Sequence, residues 1–314
     1  MSTSVTPFPP FAWSTPVLGI CPWVGRGPRP GRSRRTGSPV RRRGEGRPRV
    51  EVRDSARTVL ITGGSSGIGA AAVRAFAERG DQVWFTYHRG ARRAGELVRE
   101  LALAEGGRPH ALPFDQGDWD SLKELLKALP QTVDVLVNNA ALGTATVEQA
   151  GATSRHMEDE LFTRVNCLGP LWLTRHLLPG MVKRGYGKIL TVSSVGGGIA
   201  AFPGFRDADG MSKAAVAFLT RQWAAELSHE PVEVFCVCPG AVDSPMFRQS
   251  TLDPLSPADA AELVTRLPRG RLIRAEEIAE VLWWLTTAAA VPLHGAVIDA
   301  SMGLGVRPGL ITNR

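Results

Sequence analysis

Residues 58–69 read TVLITGGSSGIG, and this stretch decides how the rest of the chain is read. Thr58 to Thr62 form a short apolar, β-branched run of strand character. It passes without a spacer into Thr62-Gly63-Gly64-Ser65-Ser66-Gly67-Ile68-Gly69, and an apolar helical pattern begins at Ile68. Glycines let the chain turn sharply, and a helix opening there aims its free N–H groups at one point, where a phosphate is held. A lone glycine motif would say little. With a strand before it and a helix after it, Gly63, Ser65, Ser66, Gly67, Ile68 and Gly69 become a candidate phosphate cradle.

Outward from the cradle, short apolar runs at 58–62, 83–87, 110–114, 133–138, 187–193, 232–238 and 295–299 read as strands. Helical patterns lie between them near 68–79, 91–105, 118–128, 155–183, 211–229 and 275–288. Buried strands alternating with helices call for a parallel sheet covered on both faces. The expected fold is therefore α/β, a doubly wound parallel sheet forming a single Rossmann-type domain over 57–305, with a tail at 306–314. Ligands of such sheets bind outside the carboxyl ends of the strands. Residues 243–270 read as an insertion over that edge.

Charge is unevenly placed. Residues 1–57 hold 12 Arg and no Lys against 3 acids, so the net +7 of the 314-residue chain comes from this segment and the remainder is nearly neutral. A neutral body argues against a nucleic-acid-binding protein, which carries its own basic face. Rich in Arg, Pro and Gly and lacking an apolar period, residues 1–56 cannot offset their ordering entropy by burial, and are expected to be a disordered, dispensable extension. Ser33-Arg34-Arg35-Thr36 hints at a twin-arginine signal, but Arg41-Arg42-Arg43 stands where an apolar run is required. No apolar run reaches membrane-spanning length, so a cytoplasmic protein with no membrane partner is expected. Cys21, Cys167, Cys236 and Cys238 are too scattered for a disulfide framework or a metal site. Cys236 and Cys238 read as core residues on one face of a strand.

Further motifs fall at the strand ends: Asn138-Asn139-Ala140-Ala141, then Asn166, Ser193-Ser194-Val195, Lys213 and Pro239-Gly240-Ala241-Val242-Asp243-Ser244. Together with TGGSSGIG, this order resembles the classical short-chain dehydrogenase/reductase family over 57–305. The resemblance implies a nicotinamide nucleotide cofactor. Asp115 then stands where the family contacts adenine, and Asn138 and Ala140 where it lines the adenine ribose. Pro239, Gly240 and Ser244 meet the nicotinamide, and Lys213 holds the ribose. At the end of the second strand, Thr86-Tyr87-His88-Arg89 offers no acid for a free 2′-hydroxyl, while Arg89 can pair with a 2′-phosphate. NADP(H) is favoured over NAD(H). Homodimers or homotetramers through the long helices are a further implication.

The same resemblance implies a catalytic set of Asn, Ser, Tyr and Lys, matched here by Asn166, Ser194 (with Ser193 as its neighbour) and Lys213. The family's tyrosine, four residues before its lysine, is replaced by Asp209. Only Tyr87 and Tyr186 exist in the chain, and neither reaches that position by a small shift. An ordinary Asp, with a pKa of about 3.9, is protonated in roughly one molecule in a thousand at pH 7. Asp209 is thus a poor proton donor unless burial raises its pKa. It can act as a general base, or simply cap a helix beginning near Met211 and pair with Lys213. Three functions remain open: an oxidoreductase acting on a carbonyl or alcohol, a redox-neutral dehydratase, isomerase or cyclase with Asp209 as base, and a catalytically silent binding or assembly protein. Phe202, Pro203, Phe205, Met246 and Phe247, under a lid at 252–267, suit a hydrophobic small-molecule substrate.

Overall fold

The protein is described by a computed structural model that covers residues 56–102, 109–203 and 205–307. The readings made for residues 1–55 and 308–314 lie outside the described residues. The strands are β1 (Thr58–Ile61), β2 (Gln82–Tyr87), β3 (His110–Pro113), β4 (Val135–Asn138), β5 (Gly187–Val192), β6 (Val232–Pro239) and β7 (Val297–Ala300). They form one seven-stranded sheet in the order β3-β2-β1-β4-β5-β6-β7, and every pairing is parallel. The strand order reverses between β1 and β4, which opens a crevice at their carboxyl ends. This is the doubly wound, Rossmann-type sheet that the alternating pattern predicts.

Helices α1 (Gly67–Ala77), α2 (Ala91–Leu101) and α3 (Trp119–Ala128) follow the first three strands. After β4 come α4 (Thr144–Gln149), α5 (Arg155–Phe162) and α6 (Gly169–Arg184), and after β5 come the short turn α7 (Val195–Gly198) and α8 (Asp207–Glu226). Beyond β6 lie the turn α9 (Pro245–Phe247), α10 (Pro257–Arg266) and α11 (Ala275–Trp284). β1 is buried along its whole length, so its side chains feed two cores, one on each face of the sheet. Phe76, Phe85, Val137 and Leu282 pack on one side, and Leu60, Leu136, Leu173 and Trp223 on the other. Cys236 and Cys238 are buried with their sulfurs 3.9 Å apart, packed against Ala217.

Two expected helices differ from their sequence reading, and both differences bear on the site. The stretch expected as one helix over 155–183 is α5 and α6 joined through a π-helical segment, Thr163–Leu168, which carries Asn166. Such a wide turn rotates the side chains that follow and is common at functional sites. The helix expected to start near Met211 starts at Asp207, with Arg206 as its N-cap residue. Asp209 therefore lies inside the first turn, and the reading of Asp209 as the cap is corrected. Arg206 is held there by a 2.7 Å ion pair to Glu158 of α5, a tertiary tie that no local pattern announces. Among the described residues, no helix is long and apolar enough to cross a membrane.

Candidate active site

The cradle is built by close backbone contact. Gly63 and Gly67 have φ values of +67° and +53°, which only glycine adopts without strain. A Cβ on Gly69 would lie 2.2 Å from the Gly63 carbonyl oxygen, so the helix start and the turn touch directly. Ser66 precedes α1 in extended conformation, its hydroxyl makes no capping bond, and no acidic side chain stands in the first turn. The first-turn N–H groups and the positive end of the helix dipole are left for an external anion.

The β4 end is tied to this turn by Thr62 and Asn139, two motif residues to which the sequence assigns no role. Thr62 Oγ1 accepts hydrogen bonds from the backbone N–H groups of Asn139 (3.0 Å) and Ala140 (2.9 Å). The Asn139 carboxamide donates to the Thr62 and Gly63 carbonyls. Asn138 is not part of this arrangement: its carboxamide donates to Thr174 Oγ1 on α6, in the core. Adjacent residues at a strand end face opposite ways, and that alternation was the available signal. Gln116 was also missed. Its amide donates to the Ala140 and Val165 carbonyls, joining the β4 loop to the π segment.

At the end of β2, Ser65 packs so tightly on Gly90 that a Cβ there would lie 2.4 Å from Ser65 Oγ and 3.4 Å from Arg93 Nη2. Arg89 is exposed and donates to the Gln149 carbonyl at the end of α4. Asp115 accepts from the Gly117 N–H, and its other oxygen lies 3.7 Å from His88 Nε2. Across the crevice, Ser244 caps α9, and its Cβ lies 3.2 Å from where a Cβ on Gly67 would stand, so the Pro239–Ser244 loop reaches the cradle. One cleft of about 1320 Å³ joins these parts, running from Arg89 and Asp115 past the cradle to Ser194, Asp209 and Lys213.

At the far end, Ser194 caps α7 by accepting from the Gly196 N–H at 3.1 Å, while Ser193 donates to the Lys213 carbonyl at 2.8 Å. Ser193 thereby pins α8 against β5. Asn166 is 3% exposed, and its carboxamide both accepts from the Leu142 N–H (2.8 Å) and donates to the Leu142 carbonyl (3.0 Å) and to Ser212 Oγ (3.0 Å). Ser212 in turn donates to the Asp209 carbonyl at 2.7 Å. A chain of bonds therefore links the β4 loop, the π segment and the first turn of α8.

Asp209 is 6% exposed, lines the cleft, and one of its carboxyl oxygens is buried without a hydrogen-bond partner. Burial pushes its pKa up, against the opposing pull of Lys213 and Arg206. Burial likewise pushes the Lys213 ammonium down, and Asp209 only partly offsets this. Despite their i,i+4 spacing, the two make no ion pair within 4.0 Å; the 2.7 Å pair of this region is Arg206 with Glu158. The expected Asp209–Lys213 pair is thus replaced by two desolvated groups facing one cleft.

A nicotinamide dinucleotide fits this arrangement. Its pyrophosphate would meet the free first-turn N–H groups over Gly63, Gly67 and Gly69, where a larger side chain would fill the space. Comparison with known proteins agrees. Residues 57–254 match the family model of the short chain dehydrogenases. The chain is 32% identical over 264 residues to the 3-oxoacyl-[acyl-carrier-protein] reductase FabG of Thermotoga maritima, covering 81% of this chain and 99% of that protein. The structure of a 3-oxoacyl-[acyl-carrier protein] reductase with bound NAD from Brucella melitensis is similar at a TM-score of 0.69 and 29% identity, covering 80% of this chain and 91% of that one. The Pseudomonas aeruginosa RhlG/NADP active-site complex is similar at a TM-score of 0.69 and 27% identity, covering 80% and 97%.

Proposed function

Because this chain belongs to the short-chain dehydrogenase family, we propose that it is an NADP(H)-dependent oxidoreductase acting on a carbonyl or alcohol of a hydrophobic small molecule, with a non-standard proton relay. The observation that carries the reading is the continuous cleft from the uncapped start of α1 to Ser194, Asp209 and Lys213. A bound nicotinamide supplies or accepts the hydride. Gly63 to Gly69 orient the pyrophosphate, Ala140 and Asp115 flank the adenosine, and the Pro239–Ser244 loop closes on the nicotinamide side. NADP(H) over NAD(H) is supported by the lack of an acid at the end of β2 and by two guanidinium groups, Arg89 and Arg93, on the cleft wall.

Ser194 orients the substrate oxygen, and Phe202, Phe205, Met246 and Phe247 exclude water from it. No phenol stands at this end of the cleft, so proton transfer falls to Asp209 or to a water chain through Lys213 and Asn166, the latter behind the cleft wall and bonded to Leu142 and Ser212. Desolvation suits both side chains to that role, because it brings a carboxylic acid and an ammonium closer to the working pH than either lies in water. The orphaned Asp209 oxygen also favours a second reading, in which the same pocket runs redox-neutral chemistry with the carboxylate as base. Met211 (71% exposed) and Phe218 (57% exposed) on α8 support pairing of copies as a homodimer or homotetramer. A cytoplasmic location is part of the same proposal.

Titration of NADPH and NADH, followed by nicotinamide fluorescence on protein beginning near Val52, tests the reading. Micromolar NADPH binding with much weaker NADH binding is the expected result. Binding of neither would remove the redox reading.

A further inference from the structure

Three features of the substrate end combine. Asp209 is more than nine-tenths buried, faces the cleft and leaves one carboxyl oxygen without a partner. The walls around it are aromatic: the Phe205 ring lies 3.2 Å from a Cβ placed on Gly196 and 3.4 Å from one placed on Gly210, and Phe202 and Phe247 line the same cavity. Arg206, the guanidinium nearest in sequence, is paired with Glu158 at 2.7 Å, and Lys213 makes no ion pair with the carboxylate within 4.0 Å. A carboxylate without a partner among aromatic faces is the environment that holds an organic cation, through ion pairing and cation–π attraction together.

We propose that this site accepts protonated cyclic imines and reduces them to amines more readily than it reduces ketones of the same shape. The inference rests on the nucleotide-binding reading above and adds the substrate class. A ketone that accepts hydride becomes an alkoxide and requires a proton donor, a role for which the substrate end of the cleft offers no phenol, Tyr87 lying at the nucleotide end. A protonated imine requires none. Hydride leaves the reduced nicotinamide and forms the new C–H bond; the C=N π pair becomes the nitrogen lone pair; the positive charge passes from the substrate to the oxidised nicotinamide ring. Atoms and charge balance with no proton moved. Asp209 stabilises the cation on entry, Lys213 remains on the cofactor side, and Ser194 has a nitrogen rather than an oxygen to meet.

The test separates the two readings. Calorimetry on the full chain, without nucleotide and near neutral pH, compares tetrahydroisoquinoline, a protonated cyclic amine, with isochroman, its neutral oxygen isostere. The amine is expected to bind at least tenfold more tightly. Asp209→Asn is expected to abolish that preference while leaving isochroman and NADPH affinities within about twofold, and Asp209→Ser repeats the measurement should Asn misfold. Turnover with NADPH is expected to be at least tenfold higher in kcat/KM for dihydroisoquinoline than for tetralone. Equal binding of amine and isostere, or a preference that survives both substitutions, overturns this inference while NADPH binding stands. Loss of NADPH binding overturns the reduction and the reading beneath it, whatever the amine does.

Discussion

Replacing Gly69 by Ala puts a methyl group 2.2 Å from the Gly63 carbonyl oxygen and 2.6 Å from Asn139 Nδ2. A carbon and an oxygen need about 1 Å more than this, and both obstructing groups belong to the hydrogen-bonded cradle, so neither can swing away as a flexible side chain would. Overpacking of this kind costs about 1–3 kcal/mol, and rigid backbone on one side places it at the upper end. At about 2–4 °C per kcal/mol for a body of this size, Tm should fall by roughly 6–12 °C. The same displacement moves the α1 N–H groups off the pyrophosphate position. Losing one charge-assisted bond of about 1.5–3 kcal/mol weakens NADPH binding by roughly 10- to 150-fold. Gly80→Ala is the control. Gly80 has φ +84° but nothing within 4 Å of a Cβ, so it carries only the left-handed backbone cost of about 1–2 kcal/mol and leaves nucleotide affinity unchanged. Circular dichroism melts and fluorescence titration of both variants give the comparison. A Gly69→Ala protein that binds NADPH as tightly as the parent would refute the placement of the pyrophosphate.

Other expectations follow from single contacts. Arg89→Ala and Arg93→Ala should each weaken NADPH by about tenfold or more, one charge-assisted bond, while NADH changes by less than about twofold; equal effects on both nucleotides in the titration would remove the 2′-phosphate assignment. Asn166→Ala strips partners from the buried Leu142 peptide and Ser212 hydroxyl, so Tm should fall by roughly 2–12 °C, from about 1–3 kcal/mol of unsatisfied polar groups; an unchanged melt would mean that water replaces the amide. Burial raises the Asp209 pKa in the fold, so the carboxyl's relative contribution to stability is fully present below the unfolded value of 3.8 and is lost as pH rises through the raised folded value. Asp209→Asn should therefore raise Tm most above that window and least near pH 4, at about 1.4 kcal/mol per pKa unit. Measuring the pair in a Lys213→Met background isolates the carboxyl from its neighbour, and a Tm gain independent of pH would show that Asp209 does not titrate in the fold.

The sheet was legible because its cause is local. A strand buried on both faces is mostly apolar, as β1 and β4 are apart from Thr58 and Asn138 at their ends, and a glycine-rich turn between strand and helix serves few purposes besides close approach to a phosphate. The cradle glycines were readable for the same reason, since a turn states its own conformational need. The β4 end was not, because Asn138 and Asn139 are chemically identical and only the pleat, fixed by pairing with β1 and β5, decides which one faces the cleft. Asn166 was recognisable as a site residue, yet its partners Leu142 and Ser212 lie 24 and 46 residues away, and the π turn that presents it leaves no mark in an apolar helical pattern.

Asp209 is the instructive failure. Followed by Gly210, it carries every local sign of a helix cap, and capping would have made it chemically uninteresting. The Arg206–Glu158 pair starts the helix earlier and turns a capping carboxylate into a buried one with an unused oxygen. The question raised by a missing tyrosine thus turns on a contact between Glu158 of α5 and Arg206, the N-cap residue of α8. Breaking it with Glu158→Gln should leave the nucleotide end untouched and free Arg206 to compete for Asp209. On that reasoning, preference for a cationic ligand should shrink in Glu158→Gln without any change at Asp209 itself. A preference of full size in that variant would show that the ion pair does not govern the carboxylate.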